Sequence, residues 1–213
     1  MNRRWLPMIA LVGLVAQFGA MGYMIVRREL ALRNGVVCRF RTAPVDPYDA
    51  FRGRYVALNI AGAGSLICNR EYARGQRIYA VVGEGTNGFS EIKRLTPRPE
   101  EDAVRIQTRV SYCQKDYRQL PAGTNDAART WHEKQVPTGQ YRVHFSLPFE
   151  RFYMDEKLAP EAEMAYARGR QEGVLVVRVW HGLGVIEDLE LGGRPIRDVA
   201  RERQRLDPDP PIP

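Results

Sequence analysis

The sequence predicts a mainly β protein, in which an N-terminal transmembrane α-helix precedes an antiparallel β-rich soluble domain with short helices. Two observations predict this class. One uncharged apolar run lies near the N-terminus, and many later segments alternate apolar with polar residues and are rich in β-branched and aromatic side chains. With 213 residues, 44% hydrophobic and 27% charged, the chain has ordinary globular composition, which excludes extended disorder, a collagen-like repeat and a multi-span membrane protein.

The apolar run extends from Leu6 to Val26, and Gln17 is its only strongly polar side chain. About 20 apolar residues at 1.5 Å of rise each cross the hydrocarbon core of a bilayer. A cleaved signal peptide is the alternative, but it has a shorter apolar stretch of about 7–15 residues and small residues at the cleavage site. Because Phe18 lies two positions before Ala20, the cleavage context is poor, and we predict an uncleaved anchor.

The predicted anchor with its helical extension comprises residues 1–35. Good helix formers continue to Arg33, and Asn34-Gly35 predicts a helix end in the left-handed conformation. Arginines flank the run on both sides in similar numbers, so the positive-inside rule hardly favours either membrane orientation. A single span followed by a β-rich domain is typical of a signal-anchor, and it favours an exported C-terminal domain.

The β-rich domain is predicted over residues 36–205, followed by a Pro-rich tail over residues 206–213. One helix is expected from Pro160 to Arg168, one helical turn at Asp46–Asp49, and a loop from Leu120 to Glu133. The predicted strands are Val36–Arg41, Tyr55–Ile60, Arg77–Val82, Val104–Tyr112, Gln140–Leu147, Val174–Trp180 and Val185–Leu191.

Charge and cysteine content narrow the classes of function. The net charge is +7, but the arginines are scattered and often adjacent to acidic residues, so we predict no nucleic-acid partner. We expect some of the excess basic residues to lie against anionic lipid head groups. Cys38, Cys68 and Cys113 are too far apart for a redox CxxC pair or a zinc framework. They form either three buried small apolar residues or one disulfide and a free thiol.

No motif for catalysis, cofactor binding or metal binding stands out, so none of these is predicted. Residues 83–88 match G-x-G-x-x-G, but the following segment is too short for a dinucleotide-binding helix, and Asn87-Gly88 predicts a hairpin instead. The only chemical alternative is a membrane-tethered hydrolase or small-ligand site using the clustered carboxylates of Glu156, Glu161 and Glu163. The start of a helix also explains Glu161 and Glu163.

One corner of the domain has the composition of a recognition surface, because charged residues crowd beside aromatic side chains there. A purely structural interpretation also fits, in which prolines fix a turn, Asp46 caps it and Gly53 supplies an unusual backbone angle. The candidate interface residues are Asp46, Asp49, Arg52, Gly53, Arg54, Tyr55 and Leu58.

This corner resembles the signature of the GDYXXLXY family of bacterial membrane-anchored proteins, in which a PVDPxDxxRG stretch runs into G-D-Y-x-x-L-x-Y. Gly53, Tyr55 and Leu58 match, whereas Arg54 replaces the aspartate and Ile60 the final tyrosine. The resemblance implies no catalytic residues, because the family has no established activity, and its members often lie beside multi-span membrane proteins. It implies a single-pass protein of the bacterial inner membrane with a periplasmic or extracytoplasmic domain, whose partners are the lipid bilayer and a multi-span membrane protein.

Overall fold

The computed structural model describes residues 6–43, 55–57, 59–60, 64–119, 135–149, 151–155, 157–168 and 173–206. The protein is mostly β, with 48% strand against 32% helix, and the strand pairings among the described residues are antiparallel apart from one isolated bridge. The predicted fold class is therefore confirmed.

Helix α1 extends from Leu6 to Asn34 and contains the whole predicted apolar run. Its large apolar side chains from Met8 to Val26 are exposed, so the domain does not cover them. The helix ends at Asn34 as predicted, but the expected left-handed conformation is wrong, because neither Asn34 nor Gly35 has a positive φ. Gly35 is required for space instead: a Cβ atom there would lie 2.3 Å from the carbonyl oxygen of Ala31.

The first sheet has the strand order β12-β11-β10-β1-β3. Its central strand β10 is valine-rich and buried on both faces over most of its length, as is typical of a strand covered on two sides. The strands are β1 (Val36–Ala43), β3 (Asn59–Ile60), β10 (Gly173–Trp180), β11 (Leu183–Leu191) and β12 (Arg194–Pro195).

The second sheet has the strand order β4-β8-β7-β5-β6. Strand β6 pairs back on β5 directly after residues 83–88, so the predicted hairpin is confirmed and no dinucleotide-binding helix follows. Asn87 and Gly88 both have positive φ in this turn. The strands are β4 (Ser65–Cys68), β5 (Arg77–Glu84), β6 (Ser90–Thr96), β7 (Arg105–Gln119) and β8 (Gln135–Ser146).

The predicted strand Tyr55–Ile60 is divided between two sheets, which corrects the prediction. Strand β2 (Tyr55–Ala57) pairs with β9 (Arg151–Tyr153), whereas β3 pairs with the end of β1. Alternation cannot reveal this division, because both pieces are extended and differ only in their partner strand.

Two helices accompany the sheets. Helix α2 (Ala159–Arg168) confirms the predicted helix to within one residue. Helix α3 (Ile196–Leu206) was not predicted, although Ile196 and Ala200 are four residues apart and both completely buried. Strands β4, β6, β9 and β12 were also not predicted. The predicted loop 120–133 and the tail beyond Leu206 lie outside the described residues.

The inner faces of the two sheets share one hydrophobic core with α2 and α3. The largest completely buried side chains come from both sheets and from α3, so neither sheet is an independent folding unit. They are Phe40, Ile78, Ile106, Leu175, Leu189 and Ile196. At one end, Ile106 and Gly182 form a parallel bridge, in which the backbone N–H of Gln107 donates to the Gly182 carbonyl at 2.8 Å.

Candidate functional site

The signature segment, residues 43–58, leaves the first sheet at the end of β1, and the chain pairs with β1 again directly after it. The chain leaves this sheet at Ala43, and Asn59 pairs directly with Ala43 on its return. Between these points, Tyr55 lies opposite Tyr153 in the separate two-stranded sheet β2-β9. The two described ends of the segment, Ala43 and Asn59, are therefore joined by backbone pairing.

Most candidate interface residues lie outside the described part of the chain, namely Asp46, Asp49, Arg52, Gly53, Arg54 and Leu58. Of this set the structure places Tyr55 alone, through its backbone pairing in β2. Its cross-strand neighbour Tyr153 is 66% exposed, whereas the adjacent Phe152 is buried in the core. Tyr55 of the predicted interface thus lies opposite an exposed aromatic residue in the neighbouring strand. The role of the interface remains a prediction.

The junction between α1 and the domain is tightly packed. The last turns of α1 lie on β10 and β11, and Ala31 is completely buried. A Cβ atom on Gly35 would lie 3.1 Å from both the Arg178 Cβ and the Val179 nitrogen, so the backbone approaches β10 closely. The helix therefore enters the domain without a flexible linker.

An ion pair closes the same junction. Arg178 donates to both carboxylate oxygens of Glu187, with N–O distances of 2.7 and 3.1 Å, and its Nη1 donates to the Gly35 carbonyl at 3.4 Å. The hydrogen bond to Glu187 raises the pKa of Arg178. A two-pronged arginine–carboxylate contact has fixed geometry, which helps to hold the chain reversal after α1.

A cleft of about 250 Å³ lies beside the junction, between the end of α1, the β10–β11 turn and the loop before β7. His181 in this turn has a φ of 46°, and its ring meets the Trp180 ring edge-on at 4.6 Å. The cleft is lined by Asn34, Val36, residues 101–105 and residues 179–182. It contains none of the candidate residues predicted from the sequence.

A family model confirms the resemblance seen in the sequence. The model of the GDYXXLXY protein family matches residues 17–189, which is most of the chain and includes the signature segment. The chain belongs to the GDYXXLXY protein family. Comparisons with the curated proteins and with the solved structures found no match. The GDYXXLXY family has unknown function, so membership assigns no activity.

Two members of the alternative acid cluster of this GDYXXLXY protein, Glu161 and Glu163, lie on α2. The carboxylate of Glu161 lies 3.6 Å from Nε of Arg203 on α3, and its side chain is only 16% exposed. Glu163 is half-buried and two positions further on, where a helical residue faces a different direction. Glu156 lies outside the described residues. Glu161 thus joins α2 to α3, in addition to favouring the start of α2.

The cysteines are free thiols. Cys38 belongs to the first sheet, and burial raises its pKa despite a hydrogen bond with Ser90. Cys68 on β4 and Cys113 on β7 are separated by β8, which places their backbones about 9–10 Å apart at ordinary strand spacing. A disulfide requires Cα atoms within about 7 Å, so the native sheet does not favour this bond.

Sequence reasoning missed one further group, the exposed arginines Arg74, Arg77 and Arg109. Arg77 and Arg109 are directly opposite on β5 and β7. Within the described residues, none of the three forms an ion pair with a carboxylate. Arg109 is distant in sequence from Arg74 and Arg77, and only the strand register reveals that Arg77 and Arg109 lie side by side.

Proposed function

We propose that this GDYXXLXY protein is a single-pass envelope protein whose extracytoplasmic domain docks on an integral membrane partner. The observation that carries the proposal is the continuity of α1, which is exposed over its apolar run and then buried in the domain at Ala31. The run is long and apolar enough to cross a membrane. From Val26 to Gly35 the helix rises only about 13 Å, so the domain lies close to the bilayer surface.

The span itself supports an intramembrane partner. Gln17 is the single strongly polar side chain between Leu6 and Val26, and the domain leaves it exposed. An amide side chain within a bilayer is costly unless another helix satisfies its hydrogen bonds. A multi-span protein supplies such a helix and an extramembrane surface at the height of the domain.

The signature segment is the proposed interface outside the membrane. Its ends are fixed by the pairing of Ala43 with Asn59, which gives the loop a rigid base, and it begins beside the exposed Tyr153. Loops held on rigid sheets are common recognition surfaces. No observation favours a hydrolytic site over this interpretation, because the described carboxylate Glu161 is paired with Arg203.

The anchor is tested first, since an N-terminal signal sequence can also be long and apolar enough to cross a membrane. Native membranes are extracted with alkaline carbonate, and the protein's mass and N-terminal sequence are determined. An intact N-terminus in the membrane fraction supports the anchor. A mature chain that starts after α1 and leaves the membrane contradicts it. Protease added to spheroplasts then degrades the domain if it is extracytoplasmic and spares it if it is not.

The interface is tested by affinity purification of the full-length protein from mildly solubilised membranes, followed by mass spectrometry. We expect a stoichiometric multi-span partner that is lost in Arg52→Ala and in Tyr55→Ala. Matched control variants are Arg98→Ala and Tyr117→Ala, which alter exposed side chains on the second-sheet side. Thermal unfolding establishes that each variant is folded. A complex that survives both interface variants, or a protein that purifies alone, overturns the proposed docking.

A further inference from the structure

The outer face of the second sheet carries an arrangement of charge that is unfavourable in the isolated protein. Arg77 on β5 and Arg109 on β7 are paired directly across the strands, and both are exposed. Side chains in such positions have Cβ atoms about 4.5–5.5 Å apart, and like charges there destabilise the sheet. An anion between the two guanidinium groups removes this cost.

A third arginine lies beside the pair. Arg74 is exposed in the turn before β5, and this turn is held against β7 by the hydrogen bond from Gly75 N–H to the Val110 carbonyl, at 2.8 Å. Arg109 also contacts the turn, since its Nη1 donates to the Gly75 carbonyl at 3.4 Å. Arg74 therefore lies in a turn that is joined to the strand carrying Arg109, and we name the three exposed residues the arginine patch: Arg74, Arg77 and Arg109.

The arginine patch differs from several other strand positions that carry arginine. Arg39, Arg94, Arg142 and Arg178 each form an ion pair with a carboxylate. Within the described residues, none of the three patch arginines does so, and Glu71, three residues before Arg74, is not within ion-pair distance of it. The patch thus retains its full positive charge for a ligand from outside.

The position of the patch favours the bilayer as the source of that ligand. Gly182, which pairs with Ile106 of β7, lines the same cleft as Asn34 at the end of α1. Arg109 is three residues beyond Ile106, about 10 Å along the strand. Because α1 holds the junction near the membrane surface, phosphate groups are the anions most concentrated around this part of the sheet.

We propose that the arginine patch binds the phosphate groups of anionic phospholipids in the membrane that α1 crosses. Arginine suits this role because its planar guanidinium donates two parallel hydrogen bonds to phosphate oxygens. This inference depends on the membrane anchor but not on the docking of a protein partner. The contact fixes the rotation of the domain about the axis of α1, so that one side of the second sheet faces the lipid.

The test is native mass spectrometry of the full-length protein in mixed micelles that contain equal amounts of phosphatidylglycerol and phosphatidylethanolamine. The patch variant is Arg77→Gln/Arg109→Gln. The matched control is Arg98→Gln/Arg205→Gln, which removes the same charge from exposed arginines that lack a carboxylate partner among the described residues. Each surface arginine contributes about fivefold to anionic lipid binding, so we expect about 25-fold weaker phosphatidylglycerol binding in the patch variant and little change in the control.

Three results overturn the proposal. Equal losses in the two variants mean that binding follows net charge alone. Equal retention of phosphatidylethanolamine and phosphatidylglycerol means that the patch does not select anionic lipid. Displacement of the lipid by millimolar inorganic phosphate, at constant ionic strength, identifies free phosphate as the ligand. Arg52→Ala and Tyr55→Ala should leave lipid binding unchanged, so failure of the patch and failure of the docking interface are distinguishable.

Discussion

The outer faces of the two sheets differ, although their inner faces share one core. On the first sheet, Val185 and Val176 are buried outside that core, and α1 packs across the same strands. On the second sheet, Ile67 and Tyr112 are about half exposed, and no described helix covers them. The comparison indicates that the first sheet is the mechanical attachment to the anchor and the second is the surface available to ligands.

The largest expected effect comes from placing a charge on each outer face. Val185→Asp puts a carboxylate in a buried position directly opposite Arg178, where it competes with Glu187 for that guanidinium, and we expect the free energy of unfolding to fall by about 3 kcal/mol or the last turns of α1 to detach. Ile67→Asp, on the exposed face, should change it by only about 0.5 kcal/mol. Chemical denaturation of both variants measures the difference, and similar losses would show that the two faces are equally buried.

The close approach at Gly35 predicts the next largest effect. Gly35→Ala forces a Cβ atom against the Ala31 carbonyl and Arg178, and overpacking of this kind costs about 2 kcal/mol. The matched control is Gly19→Ala, because nothing lies within 4 Å of a Cβ there. We expect only Gly35→Ala to lower the melting temperature and to expose the Arg33 peptide bond to trypsin. An unchanged cleavage pattern would contradict a rigid junction.

Alkaline pH should weaken the shared core. Burial raises the pKa of the Cys38 thiol and of the Tyr166 phenol above their ordinary values. Both groups then hold their protons more tightly in the folded state than in the unfolded state. Their contribution to the free energy of unfolding is therefore complete below about pH 8.5, where the cysteine of the unfolded chain ionises, and is lost as the pH rises further. We expect the melting temperature to fall between pH 8 and pH 10.5, and to fall less steeply in Cys38→Ala. A pH-independent melting temperature would refute this linkage.

The smallest expected effect is a stabilisation, whereas the three changes above destabilise the fold. Arg77→Thr removes the like-charge opposition on the second sheet and introduces a β-branched residue, so the lipid-free protein should be stabilised by about 0.5 kcal/mol. Anionic lipid should stabilise the unsubstituted chain more than this variant. Thermal unfolding with and without phosphatidylglycerol checks both statements, and destabilisation in the lipid-free state would show that Arg77 has a structural partner.

The period of hydrophobic residues along the chain was sufficient to predict the longer helices and strands. The apolar run, most alternating strands and α2 were predicted close to their observed bounds, because each pattern reflects burial of one face or of the whole segment. Strand β7 ends seven residues later than predicted, and β8 begins five residues earlier. Short or irregular elements were missed, such as β4 and β9, because three or four residues give too few repeats to establish a period. The basic helix α3 was missed for a different reason, since its apolar stripe is narrow.

The candidate site was only partly accessible from sequence. The family signature could be recognised from Gly53, Tyr55 and Leu58, because its residues lie close together in the sequence. The opposition of Arg77 and Arg109 could not be recognised, because it depends on which residues two strands place side by side. A shift of one residue in that register would move one of the pair to the buried face.

The sequence alone determined that this protein has one apolar segment long enough for a membrane span and a mainly β domain. Both conclusions follow from local hydrophobicity and its period, which need no knowledge of distant contacts. Only the tertiary structure decided that α1 is buried at Ala31, that Gly35 serves close packing, and that Tyr55–Ala57 and Asn59–Ile60 belong to different strand pairings. These features depend on contacts between residues far apart in the chain, which the arrangement of the two sheets establishes.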